Sequence, residues 1–580
     1  MHEFIVWAPR ARNIAVRIGD STYPMSGPSQ RGWWDVSVES AGAGTYYGFV
    51  IDDDAKIYPD PRSQWQPNGV HEMSRVYDQA EFQWTDAGWD ALPLARAVVY
   101  ELHIGTFTTV GTFDEAIERL DHLVDLGITH VELMPVAAFP GDRGWGYDGA
   151  ALFAVYEGYG GPDGLKRLVN ACHERRLAVL LDVVYNHFGP VGNYTGKFGP
   201  YITDRHHTPW GGAINFEDWG SDDVRRFFCD NALMWMRDYH VDGLRLDAVH
   251  EYFDRSATHF MEQLSEETKA LSKQLGRRLV LIAESDLNDP RVVKTREVGG
   301  YGMDAQWSDD FHHALFTVLH GGEGEKGYYV DFGSVAKLAK ALTQTFVQDG
   351  TYSLYRGRSH GRPASDLSQH QFLGYIQNHD QVGNRAIGDR LEQIVGMDRA
   401  KVAAGIVLTA PFVPMIFQGE EFAASTLFQY FADHEDPNMA LAVRTGRQRE
   451  FAAFGWNPAD IPDPESVDTF YRSKLNWDEV HEGRHDEMLE WYRKLIRLRR
   501  DSPFLNDGRP GQTEVLFDEQ QRWLMMMRGA VTVMCNLGEE AVALDHPKEF
   551  RFVLASRSNV VVVEERVVLP PDTLAVFSKE

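Results

Sequence analysis

Eight short apolar runs, separated by helix-like spacers, constrain this chain more than any other feature. They are Val98 to Ile104, Thr129 to Pro135, Leu177 to Val184, Asp242 to Val249, Leu279 to Glu284, Met303 to Trp307, Phe372 to Ile376 and Phe412 to Phe417. Runs that stay apolar at consecutive positions belong to strands covered on both faces, as in a parallel sheet wrapped by helices. Eight such strands predict a closed (β/α)8 barrel. An open doubly wound sheet usually carries a glycine-rich phosphate loop after its first strand, and none follows Ile104. Among the spacers, Asp114 to Leu126 predicts a helix with Ile117, Leu120 and Val124 on one stripe, closed by Gly127. Asp163 to Arg176 predicts another, carrying Leu165, Leu168, Val169 and Cys172.

Both flanks read as β. Phe4–Trp7, Ile14–Ile18, Trp33–Val38 and Tyr46–Ile51 are short strands between turn residues. After a helix near Glu487 to Arg500, strands return at Trp523–Met527, Val531–Met534, Asn559–Val563 and Thr573–Phe577. The expected organisation is a multidomain α/β chain: an N-terminal β-sandwich over residues 1–88, a catalytic barrel over 89–505, and a C-terminal β-sandwich over 506–580. Long polar insertions at 188–220, 350–370 and 422–475 are expected to build the rim of the barrel mouth. The N-terminal module reads equally well as a packing domain or a glucan-binding one.

The net charge of −28 opposes nucleic acid or an anionic membrane as partner and favours a neutral ligand. Fifteen Trp and 23 Tyr supply rings that serve cores or sugar-stacking platforms. Cys172, Cys229 and Cys535 lie far apart in apolar contexts and read as reduced core residues. Met-His-Glu-Phe-Ile-Val-Trp7 has no basic region followed by a long apolar core, so no signal peptide is expected, and no uncharged run approaches the ~20 residues of a spanning helix. A soluble, cytoplasmic, monomeric protein is expected.

Four of the runs end in polar groups. The third ends Asp182-Val-Val-Tyr-Asn-His187, the fourth Arg245-Leu-Asp247, the fifth Ala283-Glu284 and the seventh Gln377-Asn-His-Asp380. Each alone has a structural explanation, such as a cap, a turn or an ion pair. Four on barrel strands converge at one mouth. Three carboxyls with two histidines and an arginine suit glycoside cleavage, in which one carboxylate attacks the anomeric carbon and a protonated carboxyl feeds the leaving oxygen. Asp247 suits attack because Arg245, two residues away and on the same strand face, holds it ionised. Glu284 ends an apolar strand, where desolvation keeps an acid protonated. Asp380, His379 and His187 suit hydrogen bonds to ring hydroxyls, and Tyr147 suits a stacking face under the sugar. A metal site built from His187, Asp247, Glu284 and His379 is weakened by the lack of an HxH pair on the first strand and by the cation of Arg245.

These motifs resemble those of the α-amylase family of glycoside hydrolases. Asp182-Val-Val-Tyr-Asn-His187, Gly243-Leu-Arg-Leu-Asp247, Ala283-Glu284 and Asn378-His-Asp380 match its four strand-end signatures in order and context. Trp7-Ala-Pro-Arg-Ala and Pro59-Asp-Pro-Arg-Ser resemble the N-terminal module of its branching, debranching and trehalose-forming members. The resemblance implies a retaining mechanism with Asp247 as nucleophile, Glu284 as acid/base and Asp380 as transition-state stabiliser. It also implies sugar contacts from Tyr147, His187, Arg245 and His379. Asn186-His-Phe-Gly-Pro190, Ala283-Glu-Ser-Asp-Leu-Asn-Asp289 and Gln377 to Asn384 are most similar to the trehalose-releasing subgroup, which cuts the α-1,4 bond beside the terminal trehalose of maltooligosyl trehalose. In that reading Trp210, Glu217 and Asp286 face the leaving group. Asn186 occupies the place of an amylase calcium ligand, but the acidic loop that accompanies it is not evident, so neither metal nor cofactor is expected. A branching transferase and a non-catalytic glucan binder are the competing readings. The intact carboxyl set speaks against the binder.

Overall fold

The computed structural model describes residues 1–321, 327–453, 456–546 and 548–579. All eight apolar runs form strands: β1 Val99–Leu102, β2 His130–Leu133, β3 Ala178–Val183, β4 Gly243–Leu246, β5 Val280–Ala283, β6 Ala305–Trp307, β7 Phe372–Gly374 and β8 Val413–Phe417. They pair in parallel in chain order, and β8 returns to β1, closing the barrel. The register sets Glu101 of β1 beside Glu132 of β2, and Asp182 of β3 beside Arg245 of β4. The strands are buried along almost their whole length, which is why they read as unbroken apolar runs rather than alternating ones. Gly243 opens β4 because a Cβ there would run into the side chain and carbonyl of Val280 on β5.

The spacers supply the outer helices. The Asp163 helix spans Gly161–Glu174 and buries Leu165, Leu168, Val169 and Cys172. The Asp114 helix is interrupted, as Phe113–Ile117 and Leu120–Leu126. The break resets the phase, so Leu120, Leu123 and Leu126 face the core and Val124, expected on the buried stripe, is exposed. Gly127 closes it in the left-handed region at φ 99°, donating its N–H to the carbonyls of Leu123 and Val124.

At the N-terminus, the pair His2–Trp7 with Trp33–Val38 packs with a four-stranded sheet of Ser21–Pro24, Ile14–Ile18, Tyr46–Ile51 and Ser74–Arg75. Trp33 Nε1 donates to Asp223 at 2.9 Å and Arg62 pairs with Asp230 at 2.8 Å, fastening this region to the barrel helix Ser221–Asp238. At the C-terminus, a five-stranded and a three-stranded sheet close over Met525, Met534, Leu544, Val567 and Phe577. Two buried arginines anchor that end: Arg499 and Arg528 both donate to the carbonyl of Ala410, at 2.8 and 2.9 Å. Each guanidinium spends its charge on main-chain carbonyls, which is how a buried cation without a carboxylate is accommodated. Among the described residues no helix is long and apolar enough to cross a membrane. All three cysteines are buried and free.

Candidate active site

The mouth of the barrel holds a cavity of about 720 Å³. Its lining includes Tyr147, His187, Trp210, Asp247, Glu284, His379 and Asp380. The site is organised by Arg245, fully buried with its guanidinium 4.2 Å from the ring centroid of Trp307. Its Nη1 donates to Asp182 at 2.8 Å and to Asp247 at 2.7 Å, and its Nη2 lies 3.7 Å from Glu284. One guanidinium therefore reaches three carboxyls from three adjacent strands. Planarity and a fork of donors make arginine the one side chain able to do this.

Asp247 is held from both sides. Arg245 occupies Oδ1, and Asn186 Nδ2 donates to Oδ2 at 2.6 Å. Beyond Asp247 the chain leaves β4 through Ala248, a non-glycine residue in the left-handed region at φ 42°. That turn aims the Ala248 N–H at Glu284 Oε2, 2.7 Å away, and the next N–H, of Val249, at the Glu284 carbonyl, 3.0 Å away. Sparsely populated backbone of this kind persists only when its surroundings enforce it, and it gathers at functional sites. Burial raises the Glu284 carboxyl above the ordinary range; Arg245 opposes this, while Asp247 and Asp380 add to it. Glu284 is thus biased toward its proton-bearing form.

A second set of bonds fixes the opposite wall. His379 Nδ1 donates to Glu101 at 2.5 Å, its backbone N–H meets the other Glu101 oxygen at 3.0 Å, and its Nε2 meets the Tyr147 hydroxyl at 2.7 Å. Burial pulls this imidazole down, but Asp380 and Glu101 more than offset it and raise it to about 9. A protonated His379 donates from both nitrogens, so the Tyr147 hydroxyl is free to donate to Asp182 Oδ2 at 2.6 Å. The result is one hydrogen-bonded series: Glu101, His379, Tyr147, Asp182, Arg245, Asp247, Asn186. Asp380 is half exposed to the cavity and is steadied by Asn384 Nδ2 at 2.8 Å. His187 Nε2 contacts the Tyr147 carbonyl at 3.1 Å, and its ring stacks on Trp210 at 4.8 Å. Trp210 sits on the hairpin of Ile202–Thr208 and Gly211–Ile214, from the 188–220 insertion. The 422–475 insertion adds the helix Pro437–Ala453, whose Arg447 lies 4.8 Å over Tyr430 and closes another wall.

Two of the residues expected to face the leaving group lie outside the cavity's lining. Glu217 is not among the cavity's lining residues, because Arg255 and His206 claim its carboxylate at 2.8 and 3.0 Å. The Arg255 bonds hold it down to about 2, so it is spent as an anion tying the insertion to the segment that follows β4. Asp286 also lies outside the lining and pairs with Arg356 at 2.9 Å, from the hairpin of the 350–370 insertion. Conversely, Glu101, Asn186, Asp182, Asn384 and Trp307 hold the site together and were not assigned to it. The available signal was a charged or amide side chain inside an apolar run, as in Val-Val-Tyr-Glu-Leu-His. Glu132 is a further case: it is 1% exposed, and among the described residues neither carboxyl oxygen has a hydrogen-bond partner. Burial, Glu101 and Asp182 raise its pKa strongly, as expected for a neutral acid.

A closed parallel barrel with acid, carboxylate and cation converging at its mouth defines the class as a barrel enzyme of the glycosidase type. The family model "Alpha amylase, catalytic domain" matches residues 63–200 and 217–508. The chain belongs to the alpha-amylase family. A malto-oligosyltrehalose trehalohydrolase from Rhizobium sp. (strain M-11) is 47% identical, covering 99% of this chain and 97% of that protein. Another of that name, from Mycobacterium tuberculosis, is 48% identical over 97% of this chain and 96% of its own length. A crystal structure of a Salmonella typhimurium protein matches with a TM-score of 0.91 at 35% identity, covering 99% of this chain and 97% of that one. A Corynebacterium jeikeium 1,4-alpha-glucan branching enzyme matches only 56% of this chain, at 29% identity.

Proposed function

We propose that this chain is a retaining glycosidase that cleaves the α-1,4 bond next to the terminal trehalose unit of maltooligosyl trehalose, releasing trehalose and a malto-oligosaccharide. The observation that carries the chemistry is the single Arg245 guanidinium between Asp247 and Glu284. It donates directly to the nearer carboxyl, leaving Asp247 held in place for attack, while burial favours the protonated form of the farther one. Asp247 then attacks the anomeric carbon as Glu284 passes its proton to the glycosidic oxygen, and trehalose departs. Glu284, now a carboxylate, draws a proton from water, which attacks the glycosyl ester and frees Asp247. Asp380, His379, His187 and Tyr147 bind the glucose ring at the cleavage point, and Trp210 faces the departing trehalose. The full-length relatives support trehalose as the leaving group, and the partial match to a branching enzyme gives the transferase reading less support. The free, buried cysteines support work in a reducing compartment such as the cytoplasm.

Product analysis on maltotriosyl trehalose tests this reading. Free trehalose and maltotriose are expected in equal amounts. New α-1,6 branches with no trehalose would hand the assignment to the transferase.

A further inference from the structure

The C-terminal β-sandwich is open along one side. Its five-stranded sheet ends at the edge strand Arg551–Ala555, and its three-stranded sheet ends at Val561–Val563. Only residues 556–560 link the two strands, a reach of about 18 Å, so the chain crosses from one stacked sheet to the other and both edges lie on the same side. Val560 accordingly lines one groove with Phe552 and Val553. Phe552 pairs with Phe577 in the first sheet, and Val562 pairs with Val567 in the second. Both partners are fully buried between the sheets, and directly paired residues point to the same face. Phe552 and Val562 are therefore core residues by position. Yet they are 47% and 40% exposed, because among the described residues no strand lies beyond them. Val553, Val561 and Val563 are exposed beside them. Edge strands are ordinarily blunted by charge, proline or a covering segment. Val561-Val562-Val563 carries neither charge nor proline.

The charges around this edge select what can cover it. The chain carries −28 overall, so most of its surface repels another copy. Here the charges cancel: Lys579 pairs with Glu549 at 2.7 Å, Lys548 with Glu565 at 2.9 Å and Arg557 with Asp398 at 3.0 Å. Two charges at the edge have no ion-pair partner among the described residues, the cation of Arg551 and the anion of Glu564. The first strand runs into the linking loop and the second runs out of it, so the start of one and the end of the other lie at the same end of the sandwich. Arg551 opens the first strand, and Glu564 follows the last residue of the second. Turning a copy by 180° about an axis along the strands sets Arg551–Ala555 of each chain antiparallel to Val561–Val563 of the other. Each five-stranded sheet then runs on into the copy's three-stranded one, Phe552 and Val562 enter a shared core, and each Arg551 meets the Glu564 of the other chain. We propose that this open edge is the contact of a two-fold dimer, in place of the monomer expected from sequence. The proposal is independent of the chemistry at the barrel mouth.

Sedimentation velocity of the full chain at tens of micromolar tests it. The native sequence should sediment with the mass of two chains. Val562→Glu puts a carboxylate into the shared core and should weaken the dimer at least tenfold in dissociation constant. A native protein that sediments as one chain, or a Val562→Glu protein as dimeric as the native one, would overturn the proposal. The pairing itself is tested by exchanging charges at two exposed positions, where folding is not at stake. Arg551→Glu and Glu564→Arg should each weaken the dimer by about three- to tenfold, and the double variant should recover the native dissociation constant. A double variant that dissociates as readily as the single ones would overturn the arrangement even if Val562→Glu folds poorly.

Discussion

Strand β4 carries a buried carboxylate at each end, and the two ends differ in how their partners are spent. Asp242, at the base of the barrel, accepts from Trp89 Nε1 at 2.8 Å, from His173 Nε2 at 3.0 Å and from the Val179 N–H at 2.8 Å. His173 in turn contacts Asp86 at 2.8 Å, Asp86 also takes His240, and Trp89 stacks over the imidazole at 4.5 Å. Every Asp242 oxygen is used, and the cluster is sealed under an indole. Five residues later, Asp247 is equally well held, but it opens onto a large cavity among carboxyls that share one cation. The same residue type on the same strand locks the fold at one end and is left exposed to a ligand at the other. Burial and charge alone do not separate structural from chemical carboxylates; the space in front of them does.

Breaking the upper cluster should cost turnover, and breaking the lower one should cost stability. The largest effect is expected from Asp247→Asn: trehalose release should fall by three orders of magnitude or more, with the unfolding midpoint nearly unchanged. Retention of configuration also expects the Asp247 and Glu284 carboxyls to sit about 5–5.5 Å apart in a substrate-bound crystal structure. Glu284→Gln should lower kcat by about 10²–10⁴-fold. Because Glu284 must carry a proton and burial raises its pKa, wild-type kcat/KM should decline as pH rises through that raised value. The glutamine variant should lose that alkaline limb, and a wild-type profile in it would reassign the acid.

The lower cluster titrates in the opposite currency. Burial lowers the His173 imidazole, but Asp242 and Asp86 outweigh it and leave it raised above 6.5. Its contribution is therefore complete below about 6.5 and is lost as pH rises through the raised folded value. Asp86 is held low by His173 and His240 despite burial, so its contribution fails only as pH falls through the acid range. His173→Ala should cost about 3–5 kcal/mol of stability, the usual penalty for orphaning buried charge. The melting temperature of the variant should also lose the wild-type decline that comes as pH rises through that raised value, while kcat at permissive temperature is unaffected.

Smaller effects sharpen the contrast within the mouth itself. Asn186→Ala removes one of the two side-chain donors on Asp247 and should cost about 1.5–3 kcal/mol of transition-state stabilisation, or roughly ten- to a hundredfold in kcat/KM. The smallest change is expected from Glu132→Gln, because an amide replaces an acid that is already neutral; kcat should move by less than about threefold. The un-ionised carboxylic-acid carbonyl stretch should disappear from its infrared difference spectrum. A large loss of activity in this variant would mean that Glu132 works as an anion.

The barrel was legible because its strands are buried on both faces, so hydrophobicity alone marked all eight. The ends of β3, β4, β5 and β7 were legible because polar groups interrupt apolar runs there. What sequence did not give were partnerships. Glu101 steadies His379 across 278 positions, and Asn186 reaches Asp247 across 61. Nothing local distinguishes those amides and acids from caps. The arginine partners of Glu217 and Asp286 were equally hidden: an acid on a polar loop looks available until its arginine is located. Val124 was misplaced because periodicity presumes a continuous helix, and this one is interrupted after Ile117.

The left-handed turn at Ala248 has a wider consequence. Glu284 is moored to the peptide N–H immediately following Asp247, so the span from attacking oxygen to delivered proton is gauged largely by main chain rather than by side-chain rotamers. A gauge of that kind leaves the insertions around the rim free to diversify in length and sequence. Substrate preference is thereby uncoupled from the reach of the chemistry, and one barrel end can be refitted for different glucans without being recalibrated.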